Sequence, residues 1–357
     1  MAQNPKVAQL FLGVFFFLNT LLACGTDNEK ASQIDSSGGT TKPNQKPQEN
    51  SGEEESLEAN SILKETDSVI KREGYTATKY PVVLVHGMFG FDSIFGKADY
   101  FYKISPELRK GNTEVYIAKV SPLGSSEGRG EELLKQVEDI LAKTGAKKVN
   151  LIGHSHGSPS SRYVAGVRPE IVASITSIAG ANRGSPLADL IATVVPEKSI
   201  ARIVISKVAD LSTLLIDALD SNKDNEKDPH SLGTLDSLSS KGAEKFNKKF
   251  TNGMSPDCKS IEALAKDGIY YYSFGGDAGR TRIGDPIDIL LEIGNDLFSG
   301  QKNDGAVSLC SSQLGHVIRN DYEMNHIDLV NGMFGLTAQD PIPLYRTQVN
   351  RLKKLGL

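Results

Sequence analysis

The sequence predicts an α/β fold with a mostly parallel central sheet and helices on both faces, and three observations support it. Short, continuously apolar runs such as Tyr80–Val85 and Val172–Ile178 have the length and composition of strands buried on both faces. Segments with helical apolar spacing, such as Glu131–Leu141, lie between these runs. A glycine-rich turn at 153–157 joins a strand directly to the next helix. Strands and helices that alternate in this way form parallel sheets.

The elements follow one another in a consistent order. Strands are predicted at 80–85 and 115–120, and a helix at 131–141 is ended by Gly145. A strand that ends at Ile152, a helix to about Arg168 and the strand at 172–178 come next. Later strands are predicted at 269–274 and near 317–319, and a last helix from about Leu344 to Lys354.

Composition indicates one large folded domain with additional segments. The chain has 357 residues, 39% hydrophobic and 24% charged, with a net charge of -4. No basic stripe alternates with aromatic residues, so nucleic acid is not an expected partner.

The N-terminus has the features of a bacterial lipoprotein. Lys6 precedes an apolar run, Leu10–Leu22, that is short for a membrane span and typical of a secretion signal. The ending Leu21, Leu22, Ala23, Cys24 resembles a lipobox, in which the cysteine is lipidated. We therefore expect a signal peptide at 1–23 and a cell-envelope protein anchored through Cys24 to the outer membrane or cell surface. An ordinary cleaved signal, with a secreted product, and an uncleaved anchor are the alternatives.

A polar segment separates this N-terminus from the folded domain. Residues 25–60 contain little that can be buried, so 24–74 is predicted as a disordered tether and 75–357 as the folded domain. The alternation of strands and helices breaks at about 186–265, which indicates an insertion over the carboxyl edge of the sheet. Within it, Ile200–Leu219 carries one apolar stripe, a pattern that by itself is typical of a packed helix.

The turn at 153–157 is the strongest functional signal. It reads Gly153, His154, Ser155, His156, Gly157, the pattern of the nucleophile elbow of α/β-hydrolases. Small residues are needed at both ends because the turn is tight. Ser155 is the predicted nucleophile, and a plain strand-turn-helix junction is the alternative.

A serine nucleophile needs a base and an acid from later loops. Among the late histidines, His326 fits a loop after the last strand, whereas His316 would begin that strand. The candidate acids are Asp277, Asp285, Asp288, Asp296 and Asp304. Asp304 is favoured because Asn303, Asp304, Gly305 is a turn signal that holds a side chain out of an element. If Cys24 is lipidated, Cys258 and Cys310 are an even pair, and a disulfide between them is predicted.

Four separated stretches together resemble one known family. Residues 80–96, 148–169, 303–310 and 317–336 are similar to the bacterial secreted true lipases, the family I triacylglycerol lipases that usually need a dedicated foldase chaperone. The resemblance implies an α/β-hydrolase fold that cleaves lipid esters at a water-lipid interface, with a foldase as a candidate partner.

The same resemblance assigns roles to particular residues. It implies Ser155 as nucleophile, Asp304 as acid and His326 as base, with an oxyanion hole made by the backbone N–H groups of Met88 and His156. His86 is then a support for the site rather than a base.

The resemblance also implies a structural calcium ion beside the base. Asp285 and Asp328 match the two carboxylate ligands, and Gly332 and Leu336 match the two carbonyl ligands. Two ordinary surface aspartates are the alternative. The stripe at 200–219 becomes a helical lid over the site, with a packed core helix as the alternative.

The resulting hypothesis is an envelope-anchored serine lipase that acts on long-chain acylglycerols through an acyl-enzyme. A carboxylesterase for shorter esters, a phospholipase, and a surface-binding lipoprotein with little turnover are the other candidates. One departure from the family pattern is Ser158, which stands where glycine is usual after the elbow.

Overall fold

Six parallel strands form the centre of the molecule in the part of the chain that the structure describes. This computed structural model describes residues 73–88, 90, 100–189, 232–282, 288, 291–292, 295, 298–332 and 335–357. The strands are β1 (Val82–Val85), β2 (Val115–Ile117), β3 (Val149–His154), β4 (Val172–Ile178), β5 (Tyr270–Gly276) and β6 (His316–Tyr322). They pair in the order β2-β1-β3-β4-β5-β6, with every pair parallel. The predicted α/β fold class is confirmed.

Helices cover both faces of the sheet because alternate strand residues point in opposite directions. They are α1 (Ile104–Lys110), α2 (Ser126–Thr144), α3 (Gly157–Val167), α4 (Leu232–Leu238), α5 (Ser240–Lys249), α6 (Leu309–Ser312) and α7 (Ile342–Lys354). Val83 and Val85 of β1 share a buried cluster with α2 and α3. Val82 and Leu84 share the opposite cluster with α1 and α7.

Most predicted elements are present with shifted ends. Helix α2 begins five residues before the predicted start, because its first turn is polar and carries no apolar signal. Its start is capped by the Ser125 hydroxyl, which accepts from the Gly128 N–H at 3.0 Å. Gly145 ends it in the left-handed conformation, as predicted. Helix α1 was not predicted, since it is only seven residues long.

The insertion begins and ends within the described residues. Helices α4 and α5 form its second half, and the Thr234 hydroxyl donates to the carbonyl of Gly124 at 2.8 Å. The predicted lid stripe at 200–219, the signal peptide, Cys24 and the tether up to residue 72 lie outside the described residues.

Two further features bear on the predictions. Cys258 and Cys310 form the predicted disulfide, with their Cα atoms 5.1 Å apart. Among the helices that the structure describes, none has the length and apolarity needed to cross a membrane.

Candidate active site

The turn between β3 and α3 holds Ser155 in a strained conformation. Ser155 has a φ of 53°, in the left-handed region that non-glycine residues seldom adopt. A Cβ atom at Gly157 would overlap the carbonyl oxygen of Val85, and one at Gly153 would overlap the carbonyl of Gly157. Both glycines are therefore required by close backbone contacts. The Ser155 N–H donates to the carbonyl of Ile178 at 3.0 Å, which fixes the turn to the neighbouring strand.

His326 and Asp304 lie in direct contact at the carboxyl edge of the sheet. The Nδ1 atom of His326 is 2.8 Å from Oδ2 of Asp304, and the His326 N–H donates to the Asp304 carbonyl at 2.9 Å. The other carboxylate oxygen of Asp304 accepts from the N–H groups of Ala306 and Val307 at 3.0 and 2.7 Å. Both side chains are buried. Asp304 therefore contacts both the ring and the main chain of His326, and its own carboxylate is fixed by the N–H groups of its loop.

The other candidates for base and acid occupy different places. His316 is exposed at the start of β6. Asp277 pairs with Lys302 at 2.8 Å, and Asp288 accepts from the side-chain amide of Asn325 at 2.6 Å. Asp285 and Asp296 are outside the described residues.

The residue before the serine connects the elbow to His326. The imidazole rings of His154 and His326 have centroids 4.6 Å apart, and Nε2 of His154 lies 2.9 Å from the His326 carbonyl oxygen. Because His154 and Ser155 are neighbours in the chain, this contact brings Ser155, His326 and Asp304 to the same edge of the sheet.

The segment at 86–88 packs directly against the serine. A Cβ atom at Gly87 would lie 2.8 Å from Cβ of Ser155, so only glycine allows this approach. The buried guanidinium of Arg129 donates to the carbonyls of His86, at 2.6 Å, and Ser121. Met88, the predicted oxyanion residue, follows immediately.

Three buried imidazoles in this region are held neutral. Burial and the nearby Arg129 lower the pKa of His86 to about 3. Burial, Arg129 and His86 hold the pKa of His156 well below its usual value. Burial and then His326 do the same for the pKa of His154. Burial also lowers the pKa of Arg129, to about 10.

A polar network surrounds Asp328, the predicted calcium ligand. Its Oδ2 accepts from the hydroxyl of Thr281 at 2.7 Å, and Thr281 also lies 3.3 Å from the carboxylate of Asp288. The side-chain oxygen of Asn325 accepts from the N–H of Asp328 at 2.8 Å. A Cβ atom at Gly332 would overlap the carbonyl oxygen of Leu336, so these two predicted ligand positions are in contact.

Sequence reasoning missed several residues of this region. Tyr100 donates toward His154, Arg129 supports the segment at 86–88, and Asn325 with Asp288 supports the loop of His326. None of them belongs to a spaced motif. Their roles arise from contacts between residues far apart in the chain, which a single sequence does not reveal.

A small apolar cluster adjoins the site. Met88, the predicted oxyanion residue, and Ala306, two residues after Asp304, pack against four buried side chains, Ala181, Ala188, Leu238 and Val307. The cluster therefore joins the segment of Met88 to the loop that follows Asp304.

Comparison with known proteins is consistent with this geometry. Residues 80–260 match a family model described as alpha/beta hydrolase fold. A triacylglycerol lipase from Vibrio cholerae is 46% identical over 306 residues, which cover 85% of this chain and 97% of the relative. A triacylglycerol lipase from Pseudomonas fragi is 33% identical, over 78% of this chain and 98% of its own. The crystal structure of Bacillus licheniformis lipase BlEst2 shares the fold, with a TM-score of 0.52, 18% identity, and coverage of 76% of this chain and 92% of that chain.

Proposed function

The chain belongs to the bacterial triacylglycerol lipases of the α/β-hydrolase fold, and from that premise we propose that Ser155, His326 and Asp304 are its catalytic triad. A lipase hydrolyses carboxylic esters. The observation that carries the assignment is the hydrogen bond between Asp304 and His326 at the sheet edge occupied by the strained Ser155. We further propose long-chain acylglycerols as the substrates.

In this proposal the reaction passes through an acyl-enzyme. The Ser155 oxygen attacks the ester carbonyl while its proton moves to Nε2 of His326. The imidazolium then gives that proton to the leaving alcohol as the C–O bond breaks. A water molecule then attacks the acyl group and gives a proton to Nε2 of His326. The bond between the acyl carbon and the Ser155 oxygen breaks as the imidazolium returns that proton to Ser155, and the fatty acid leaves. Asp304 accepts a hydrogen bond from the Nδ1–H of His326, so it holds the tautomer in which Nε2 is free to receive a proton.

The backbone N–H groups of Met88 and His156 are proposed to stabilise the oxyanion. Two donors fixed before the reaction stabilise the negative charge of the tetrahedral intermediate, each by about 3 kcal/mol in comparable sites. The hydrogen bonds from Arg129 to the carbonyl of His86 and the contact of Gly87 with Ser155 support a fixed position for Met88. His86, with Nδ1 2.9 Å from the Gly87 carbonyl, serves the same segment.

Calcium is proposed as a structural ion next to the base. The residues present fit it, because the donors are all oxygen atoms and the main chains of Gly332 and Leu336 meet beside the loop of Asp328. Asp285, Asp328 and the two carbonyls would hold the ion, which would supply a cross-link between loops. Asp328 lies two residues after His326. The ion would therefore fix the loop that carries the base.

The calcium assignment has a direct test. We expect chelation to lower the melting temperature of the wild type by several degrees. Asp328→Asn should melt at the chelated temperature, with or without calcium. Asp321→Asn, which changes an exposed carboxylate on β6, should keep the full response. A wild type that melts at one temperature in both buffers would contradict the assignment.

We also propose a location and a folding partner for the enzyme. A lipid on Cys24 would hold it at the cell envelope, and a dedicated foldase chaperone is proposed to assist its folding. Cys24→Ser should release the enzyme into the medium and abolish incorporation of a labelled fatty acid. The need for a foldase is measured by refolding the enzyme with and without a foldase from a related lipase.

Activity and substrate class are tested together. Wild type, Ser155→Ala and the control Ser161→Ala are assayed on chromogenic esters of increasing chain length, on emulsified triglyceride and on phospholipid vesicles. Ser161 is a buried helix serine bonded to the Gly157 carbonyl. We expect the highest turnover on long chains, a loss of about 10⁶-fold in Ser155→Ala, and near wild-type rates in Ser161→Ala. Turnover confined to short soluble esters would indicate a carboxylesterase, and turnover confined to phospholipid vesicles a phospholipase. Binding to lipid without turnover would support a surface-binding lipoprotein.

A further inference from the structure

His154 makes three contacts that the reaction described above does not use. It is fully buried between the elbow and the loop of His326. Its ring lies against the imidazole of His326, with centroids 4.6 Å apart and an angle of 47° between the planes. Its Nε2 atom is 2.9 Å from the carbonyl oxygen of His326, and its Nδ1 atom is 2.7 Å from the hydroxyl of Tyr100.

These partners determine the tautomer of His154. A carbonyl oxygen only accepts, so Nε2 of His154 carries the proton and donates it to His326. In the neutral ring, Nδ1 is then an acceptor, and the hydroxyl of Tyr100 donates to it. Burial and His326 keep the pKa of His154 well below its usual value, in agreement with a neutral ring. Both nitrogens are occupied, so His154 is not available as a second base.

Tyr100 connects this pair to the segment at 86–88. Its hydroxyl lies 2.9 Å from where a Cβ atom at Gly87 would be, and it also makes a hydrogen bond with the Gly87 backbone. Gly87 directly precedes Met88. One buried series of contacts therefore runs from the oxyanion segment through Tyr100 and His154 to the base.

We propose that Tyr100 and His154 form a hydrogen-bonded relay that positions His326 relative to the oxyanion segment. The relay rests on the triad proposed above. In it, the main chain of His326 is held on both sides, by Asp304 at its N–H and by His154 at its carbonyl. The neighbouring ring of His154, tilted by 47° to the His326 imidazole, limits rotation of that imidazole. His154 and Tyr100 are positioning residues, because they act through His326 and Gly87.

The physical consequence is a loss in the chemical step when the relay is cut. A displacement of about 1 Å between reacting groups lowers rates by about 100-fold. Without the Tyr100 hydroxyl, Nδ1 of His154 has lost this donor, and the ring is held in place by its bond to the His326 carbonyl without the second hydrogen bond. Tyr100 and His154 are expected to act on the position of His326 rather than on contacts with the substrate, so KM should change little.

Single substitutions test the relay on a soluble chromogenic ester with calcium present. We expect kcat to fall about 100-fold in His154→Leu and about 10-fold in Tyr100→Phe, with KM within about twofold. His154→Gln, which keeps an N–H donor near the Nε2 position, should recover at least about fivefold over His154→Leu. The control is Tyr271→Phe, which also removes a buried hydroxyl, bonded to Asp267 at 2.7 Å away from the site. It should match Tyr100→Phe in melting temperature but keep wild-type kcat.

A double-mutant cycle separates a relay from two independent contacts. In the His154→Leu background, Tyr100→Phe should cost clearly less than its about 10-fold loss in the wild type, because the part of its effect that passes through His154 is already lost and only its contact with Gly87 remains. If the two losses multiply instead, or if Tyr100→Phe keeps kcat as Tyr271→Phe does, the relay is wrong.

A measurement that does not depend on turnover distinguishes this idea from the proposed function. In protein labelled with ¹⁵N-histidine, His154 should be the neutral Nε2–H tautomer in the wild type, and the resonance of its unprotonated Nδ1 should shift in Tyr100→Phe because that atom loses its hydrogen-bond donor. An Nδ1–H tautomer in the wild type would overturn the relay, whatever the activity. If Ser155→Ala kept the turnover of the wild type, the proposed triad would be wrong instead.

Discussion

The elbow at 153–157 and the two loops that carry Asp304 and His326 reach the same site in opposite ways. The elbow is fixed by backbone contacts within a few residues and its neighbouring strands, since Gly157 lies against the carbonyl of Val85. The loops are fixed by side-chain hydrogen bonds between distant residues, such as Asp288 with Asn325. Local steric contacts thus fix the position of Ser155, and long-range polar contacts fix the positions of Asp304 and His326.

Because hydrogen bonds fix the loops, we expect a substitution that keeps the loop's own hydrogen bonds to lower activity without changing the conformation of the loop. In Asp304→Asn, the remaining side-chain oxygen still accepts from Ala306 and Val307, but the amide no longer accepts the Nδ1 proton of His326. We expect kcat/KM to fall about 10⁴-fold, as a wrong tautomer does in comparable triads, with the melting temperature nearly unchanged. Circular dichroism melts measure the second quantity. A parallel collapse of stability would mean that Asp304 mainly holds the loop together.

We expect the buried histidines around the elbow to make the stability of the folded protein fall in acid. His86, His154 and His156 are neutral in the folded protein, and their pKa values are lowered by burial, with Arg129 contributing at His86 and His156. The unfolded chain binds protons at these groups below about pH 6.5, whereas the folded state does not, so stability is lost as the pH falls. Each group contributes up to about 1.4 kcal/mol per pH unit.

Urea unfolding at pH 7.5, 6.0 and 5.0 measures this loss. His156→Gln, whose amide still faces Ser126, should reduce the slope by about one third. His316→Asn, which changes an exposed histidine on β6, should leave the slope unchanged. Equal stability at pH 7.5 and 5.0 would show that these imidazoles are not kept neutral by the fold.

At Gly157 of the elbow, the close backbone contact should cost more stability on substitution by alanine than the left-handed conformation costs at a glycine elsewhere. Gly157→Ala places a methyl group against the Val85 carbonyl in a fully buried strand, and we expect it to cost about 3 kcal/mol. Gly145→Ala is the control, because it is strained only by its φ of 68° and its Cβ meets nothing within 4 Å, at a cost of about 1 kcal/mol. Chemical denaturation measures both. A loss in Gly157→Ala no larger than that in Gly145→Ala would show that the contact with the Val85 carbonyl does not select glycine at the elbow.

The same difference explains what the sequence could predict. Local signals were sufficient for Ser155 between its glycines, for Gly145 at the end of α2 and for strand β4, whose bounds were predicted correctly. Asp304 was favoured from a three-residue turn. Tyr100 and Arg129 could not be found, because each is defined by contacts with residues distant in the chain.

The smallest expected effect concerns Ser158, the departure from the family pattern. Its hydroxyl lies 2.9 Å from the Ser177 hydroxyl and 2.8 Å from Oδ1 of Asn182, so it ties the first turn of α3 to the segment after β4. Neither of these two hydroxyl contacts involves Ser155. Ser158→Ala keeps the Cβ atom and leaves a buried amide oxygen with one donor fewer. We expect a loss of about 1 kcal/mol in stability and kcat within about twofold of wild type. A large fall in kcat with unchanged stability would show that the side-chain contacts of the elbow, and not only its backbone, orient the serine.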